Sequence, residues 1–291
     1  MISNIKVGNN LPSKTGLMVL DAELSRIEDD GFDACEINLA TVPLIISGVI
    51  QEKVVQYVKE LLQKHSLSYT AHIGYGLDLR NIAELELHKK VLFSSIRICA
   101  ELGIGLLNLH FEEETRFADK EEAFLKAHLE AANLGEEIGV KLSIENVEVE
   151  HAHKALAFVK KASHPNLGMT LDLGHLYLSA CYFQYDYLKA VDECAPYLYH
   201  LHINDNTGIF EPLRVENNNI YNTLSINERF TFGRGDIHIP PLWGNAPLKE
   251  AFKIIKRAGY QGVWLCEYYS QHFIPFNKGV QEEVRKAICE A

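Results

Sequence analysis

The stretch TLDLGH, residues 170–175, reads as a buried strand until Asp172, where a carboxylate replaces the apolar run and Gly174 and His175 follow. One such ending means little, because a strand must stop somewhere and Asp is a common turn residue. This chain repeats the ending. SYTAHIG (68–74) closes on His72, GLLNLHF (105–111) on His110, KLSIENV (141–147) on Glu145, LYHLHIND (198–205) on His202 and GVWLCEY (262–268) on Glu267. With IKVGNN (5–10), ACEINLA (34–40) and LGMTLDLG (167–174), the chain holds eight strand-like runs. Between them lie segments with apolar residues at three- and four-residue spacing, such as 51–65, 87–103, 120–139 and 248–259. Several of these end in Gly just before the next strand, as helix C-caps do. Eight strand-helix units without a linker predict a single (β/α)8 barrel over residues 1–291, with the long segment 206–247 as a candidate lid. The competing fold, an open doubly wound sheet, lacks support, because no GxGxxG follows the first strand and there is no P-loop.

Within the strands the side chains alternate. Asn108 and His110 oppose Leu107 and Leu109; Ser143 and Glu145 oppose Leu142 and Ile144; His200 and His202 oppose Leu201 and Ile203. In a barrel the apolar set must pack on the outer helices, so the polar set points inward. The last inward residue of each strand then stands at the C-terminal rim, where such barrels carry their active sites. On this register the rim holds His72, His110, Glu145, Asp172, His202 and Glu267. Carboxylates on neighbouring strands, ~5 Å apart, repel by roughly 3 kcal/mol per pair at an effective dielectric near 20. A divalent ion compensates that repulsion. Glu145, Asp172, His202 and Glu267 form an oxygen-rich set with one nitrogen, which suits Mn2+, Co2+, Mg2+ or Zn2+.

Composition narrows the partners. The chain has 291 residues, 47% of them hydrophobic, so a large core can form. A formal charge of −11 leaves no basic excess for neutralising phosphates, and the EEE run at 112–114 repels a nucleic-acid backbone. Six cysteines without CxxC spacing suggest reduced thiols. The N-terminal MISNIKVGNN lacks leader character, and no apolar run approaches membrane-spanning length, so a soluble cytoplasmic protein is expected. His200, one layer below the rim, reads as a core histidine; His65, His88, His128, His151, His153 and His164 read as surface residues. The apolar segment VPLIISGVI (42–50) fits a helix start, a lid or an oligomer contact.

These residues resemble the xylose isomerase-like TIM barrel superfamily of sugar isomerases and epimerases, which also contains the endonuclease IV type of DNA repair enzyme. The resemblance spans nearly the whole chain and rests on SIENV (143–147), LDLGH (171–175), LHIND (201–205), GRGDI (233–237) and WLCEY (264–268). It implies one metal held by Glu145, Asp172, His202 and Glu267, with His175 as a substrate-binding histidine. It also implies that Arg229, in NERFTFGRG, stands near the substrate oxygens. The endonuclease pattern implies instead that His72 and His110, with a bridging Glu145, hold a second metal. Its third ion needs an Asp-Arg-His before the GxG, where this chain reads Asn227-Glu228-Arg229-Phe230; the DIH at 236–238 follows the GRG and so falls out of place. With one metal, His72 and His110 bind substrate hydroxyls.

The expected activity is therefore a metal-dependent isomerisation or epimerisation of a sugar or sugar phosphate through an enediolate. Glu145 and Glu267 are the expected base and acid, and His175 and Arg229 orient the substrate. Dehydration by the same chemistry is a variant. The alternatives are a zinc phosphodiesterase acting on abasic DNA and a non-catalytic metabolite-binding barrel; a homo-oligomer is compatible with any of them.

Overall fold

The computed structural model describes residues 5–12, 14–74 and 76–291; the first four residues, part of the N-terminal stretch read above, lie outside them. Eight parallel strands close into a barrel. They are β1 (Val7–Asn10), β2 (Ala34–Asn38), β3 (Ser68–Ile73), β4 (Leu106–His110), β5 (Lys141–Glu145), β6 (Leu167–Asp172), β7 (Leu198–Ile203) and β8 (Trp264–Cys266). Each pairs with its sequence neighbours, and Val7 pairs with Trp264 to close the ring. The expected runs are thus present, trimmed by up to two residues at each end.

The helices form where the apolar spacing placed them. Helix α1 is Leu20–Asp29, and α2 (Glu52–Leu62) buries Val55, Val58, Leu61 and Leu62 along one stripe. Helices α3 (Leu85–Leu102) and α4 (Ala118–Ile138) stop at Gly103 and Gly139, whose φ of 74° and 79° is the left-handed conformation glycine adopts without a Cβ penalty. Helices α5 (Ala152–Ala162), α6 (Leu173–Phe183) and α7 (Tyr187–Cys194) follow. Outward strand residues such as Leu142, Ile144, Leu171, Leu201 and Ile203 are fully buried under this layer.

The segment 42–50 forms a two-stranded hairpin, Ile45–Ile46 with Val49–Ile50, in place of a helix start; Ser94 Oγ of α3 donates to Gly48 O at its turn (2.8 Å). The segment 206–247 is more ordered than a plain loop. It holds α8 (Leu213–Glu216), α9 (Asn218–Tyr221) and α10 (Ile226–Phe232), the last begun by a Ser225/Glu228 capping box. An antiparallel bridge between Asp205 and Ile239 ties its return to the end of β7. Two helices complete the chain, α11 (Leu248–Arg257) and α12 (Asn277–Glu290). None of the described helices is long and apolar enough to cross a membrane, and all six cysteines are unpaired.

Candidate metal centre

The ending of TLDLGH now has a structural reason. Asp172 closes β6 and caps α6: its Oδ1 accepts from His175 N at 2.6 Å, satisfying a backbone donor that the helix leaves free. Its Oδ2 accepts from Asn204 Nδ2 at 2.8 Å. Gly174 between them is obligatory, because a Cβ there would stand 1.7 Å from Asn204 Oδ1. The turn therefore aims both Asp172 and the ring of His175 into the barrel mouth.

Glu145 is the hub. Its Oε1 lies 3.3 Å from His202 Nδ1 and 3.5 Å from His175 Nδ1, while Oε2 lies 3.6 Å from both His72 Nε2 and His110 Nε2 and accepts from Asn108 Nδ2. Glu267 approaches the same His202 Nδ1 at 2.8 Å, and Asp172 Oδ2 at 4.0 Å. Donors on a common ion at about 2.1 Å are themselves about 3–4 Å apart. The ligand atoms of Glu145, Asp172, His202 and Glu267 all lie within 4.8 Å of one another, as do those of His72, His110 and Glu145.

A third set comes from a place the sequence argument had discarded. The DIH triplet follows the GRG, yet Asp236 and His238 stand against His175: Asp236 Oδ2 is 3.4 Å from His175 Nε2, and Asp236 Oδ1 is 2.9 Å from His238 Nε2. His238 Nδ1 meets the carbonyl of Glu267 at 2.8 Å and His175 Nδ1 that of Asn146 at 3.1 Å, so in both rings Nδ1 carries a proton and Nε2 is the nitrogen turned to Asp236. Those two Nε2 atoms are 3.2 Å apart. Two imidazole nitrogens so close need a shared proton, a cation or the charge of Asp236 to offset their repulsion.

Electrostatics point the same way. Burial pushes the Asp172 carboxyl up to about 6, despite the opposing pull of His175 and His238. Burial also works to raise Glu267, but His202 overrides it and holds the carboxyl down at about 2. Glu145 is likewise held well below the ordinary range, by His202 and His110 against its burial. For His238, burial is outweighed by Asp236, which raises the ring to about 10. His72 moves the other way, lowered by burial, so it stays a neutral donor.

The fit of these residues to a metal ion is tested by a set of orphaned atoms. Glu145 Oε1, His202 Nδ1, His72 Nε2, Glu267 Oε2 and Asp236 Oδ1 are buried without a hydrogen-bond partner among the described residues. Leaving one such group unsatisfied costs about 1–3 kcal/mol, more if charged. Several of them converging on one mouth fit a bound cation. Gly74 keeps the mouth open, since a Cβ there would come within 2.8 Å of His110 Cε1 and 3.2 Å of His72 Nε2.

A cavity of about 220 Å3 opens onto this cluster. Its lining includes Glu36, Glu267, His72, His110, His175, Asp236 and His238 together with Asn10, Asn38, Gln271, Tyr268 and Tyr269. Glu145 and Asp172 are fully enclosed beneath. Arg229 is not in the cavity wall: its Nη1 donates to Tyr221 Oη (2.7 Å) and to the carbonyl of Asp236 (2.9 Å), so it props the segment that delivers Asp236. No lysine or arginine lines the cavity among the described residues.

A closed parallel (β/α)8 barrel thus gathers at its C-terminal mouth carboxylates and imidazoles in groups that could hold a metal ion. The chain belongs to the xylose isomerase-like TIM barrel family, whose pattern matches residues 24–288. Among solved structures it resembles a xylose isomerase-like TIM barrel protein from Mycobacterium smegmatis in complex with magnesium (16% identity, 100% of this chain and 99% of that one, TM-score 0.73). It also resembles D-allulose 3-epimerase from Methylomonas sp. (15%, 98% and 98%, 0.71) and the IOLI protein with a zinc atom (15%, 98% and 97%, 0.67). At these identities the likeness establishes the fold. None of the curated proteins matches the chain by sequence.

Proposed function

We propose that the chain is a metal-dependent isomerase or epimerase of a small polyhydroxylated carbonyl compound. The observation that carries this reading is the position of Glu267: of the central ligand set it alone lines the cavity, with one oxygen against His202 and the side chain 14% exposed. The similarity to an allulose epimerase supports the substrate class. The size of the cavity and its lack of cationic side chains favour an unphosphorylated sugar over a sugar phosphate or a DNA duplex.

Glu145, Asp172, His202 and Glu267 would hold the central ion, which supplies Lewis-acid polarisation of the substrate carbonyl. Glu267, whose carboxylate reaches the cavity, would take the proton from the carbon beside that carbonyl. His175 and His238, their Nδ1 protons fixed by backbone carbonyls, present Nε2 to the substrate oxygens together with Asp236. Tyr269 and the amides of Asn10, Asn38 and Gln271, which also line the cavity, supply further polar contacts. Glu145 enters as an unequal partner. Both its oxygens face imidazoles, so its main role is to concentrate negative charge between the ligand sets, and proton return at the second face falls to it only through a neighbouring ring.

The test is solvent exchange. Wild type with Mn2+ should wash deuterium from D2O into a ketohexose at the carbon beside the carbonyl, and Glu267→Gln with the metal restored should lose exchange from at least one epimer. Absence of exchange with any sugar in wild type would move the reading to a non-catalytic binder.

A second reading, a phosphodiesterase, is favoured by one observation: the two ligand sets beyond the central one, His72/His110/Glu145 and His175/Asp236/His238 with Asp172. Metal-dependent nicking of abasic-site DNA, with binding that weakens steeply as salt rises, would establish it in place of the epimerase.

A further inference from the structure

We infer that Glu36 is a positioning residue shared by two metal positions, holding His202 of the central set and His72 of the second set by the ring nitrogens turned away from the ions. The inference rests on the metal-centre reading above.

Glu36 sits on β2, 1% exposed, one layer below the rim. Its Oε2 is fixed from two sides: Thr70 Oγ1 donates to it at 3.1 Å and His200 Nε2 meets it at 3.0 Å. Its Oε1 is thereby aimed upward. That oxygen lies 3.0 Å from His202 Nε2 and 3.5 Å from His72 Nδ1. The opposite nitrogens of the same two rings face further carboxylates, His202 Nδ1 at 2.8 Å from Glu267 and His72 Nε2 at 3.6 Å from Glu145, while His72 Nδ1 stands nearer to Glu36 (3.5 Å) than to Glu267 Oε1 (3.9 Å). Each ring therefore spans the gap between Glu36 and a ligand set.

An imidazole offers a lone pair to a metal only at a nitrogen without a proton, and the other nitrogen then carries it. A carboxylate at that other nitrogen fixes the tautomer, the ring orientation and the ligand's basicity. For His202 the choice is forced by its surroundings. Ligation through Nδ1 leaves the proton on Nε2, and Glu36 Oε1 is the acceptor within 3.0 Å; neither atom has a hydrogen-bond partner among the described residues, because the pair is close but not in line. One oxygen serving two rings links the two positions: a change at Glu36 is felt at both.

Glu36, His200 and His202 also stand close enough to hold an ion themselves. That arrangement would need the lone pair of His202 Nε2 and would take the ring from the rim, where its Nδ1 is surrounded by three carboxylates. The positioning role is compatible with both faces of the ring.

The experiment is a chelator-competition titration of the full chain with Co2+, following the visible absorption of the bound ion. Glu36→Gln keeps the shape and an acceptor oxygen and removes the charge. It should bind as many ions as wild type, about ten- to a hundredfold more weakly, with an altered Co2+ spectrum, while melting of the metal-free protein changes little. Thr70→Val, which leaves the carboxylate and loosens it, should move affinity and spectrum in the same direction by less, and it carries the test if Glu36→Gln does not fold. Unchanged affinity and spectrum with lowered metal-free stability would show a merely structural carboxylate and overturn the inference. Loss of one ion from the stoichiometry, with the others unaffected, would show Glu36 to be a ligand and overturn it too. Failure of wild type to take up Co2+ at all would overturn the metal-centre reading itself, and this inference with it.

Discussion

His202 at the barrel mouth and His128 in the outer layer are equally buried, at 0% and 1% exposure, yet their surroundings drive them to opposite charge states. His128 lies on α4 among Phe124 and Phe158, with ring centroids at 4.2 and 5.1 Å, and its Nδ1 meets the carbonyl of Phe124 at 2.7 Å. Burial, helped by Arg80, lowers it to about 4. At the mouth the same burial is outweighed: Glu267, Glu36 and Glu145 raise His202 well above its ordinary value. Burial alone makes a histidine a neutral aromatic spacer. Carboxylates in the same low-dielectric space make it a charge-bearing or ion-holding group.

The hardest blow to this contrast is to remove a mouth carboxylate. Glu145→Gln should cost the most, because four imidazoles face that one group; breaking such a buried set by deleting one partner costs about 3–5 kcal/mol. Metal content by elemental analysis and solvent exchange by NMR should both collapse, with Asp172→Asn and Glu267→Gln following. Full metal occupancy in all three variants would dissolve the distinction between mouth and outer layer.

The outer-layer side of the comparison is tested by pH. With a folded value of about 4 against an ordinary 6.5, His128 resists protonation in the native state. The unfolded chain gains that proton first, so wild type should lose stability relative to His128→Leu as pH falls from 6.5 to 4, by up to about 3 kcal/mol. Denaturant melts of both proteins across that window measure it; parallel curves would mean that the ring is not shielded.

A smaller effect separates the ligand sets within the mouth. Gly74→Ala would press a methyl against His110 and His72 without touching a carboxylate. Affinity at the second position should fall at least about tenfold, or 1.4 kcal/mol, while the central position keeps its ion, read by metal titration. The smallest expected effect belongs to charges in water. Arg257 and Asp192 are 2.7 Å apart but 72% and 59% exposed, so Arg257→Gln should change stability by less than about 1 kcal/mol, which thermal melting can verify.

The strand-borne part of both regions was legible in the sequence, because a period of two places Asn108 with His110 and His200 with His202 on the lumen side whatever the loops do. Glu36 obeys the same parity, and a lone carboxylate inside ACEINLA was the available signal for it. His128 read as a surface residue; its spacing of four from Phe124, on the face that also buries Ala131 and Ala132, was the signal for the core. Asp236 and His238 carry no such periodicity. They lie on the return of the 206–247 segment, and the bridge between Asp205 and Ile239, the prop of Arg229 on the Asp236 carbonyl and the contact of His238 with the Glu267 carbonyl hold them across the mouth. Chain order before or after a GxG does not fix where an irregular segment ends in space.

Ring closure between Val7 and Trp264 has a consequence for how the protein comes into being. Glu267 stands just past β8, which pairs with β7 on one side and with β1 on the other, where Asn9 Nδ2 donates to the carbonyl of Cys266 across 257 residues of sequence. Closing so long a loop is the entropically slow, late event of assembly. A nascent chain still lacking β8 thus has three of the four groups, Glu145, Asp172 and His202, and an ion that binds the finished set would act as a clasp, retarding the separation of β8 from the strands before it.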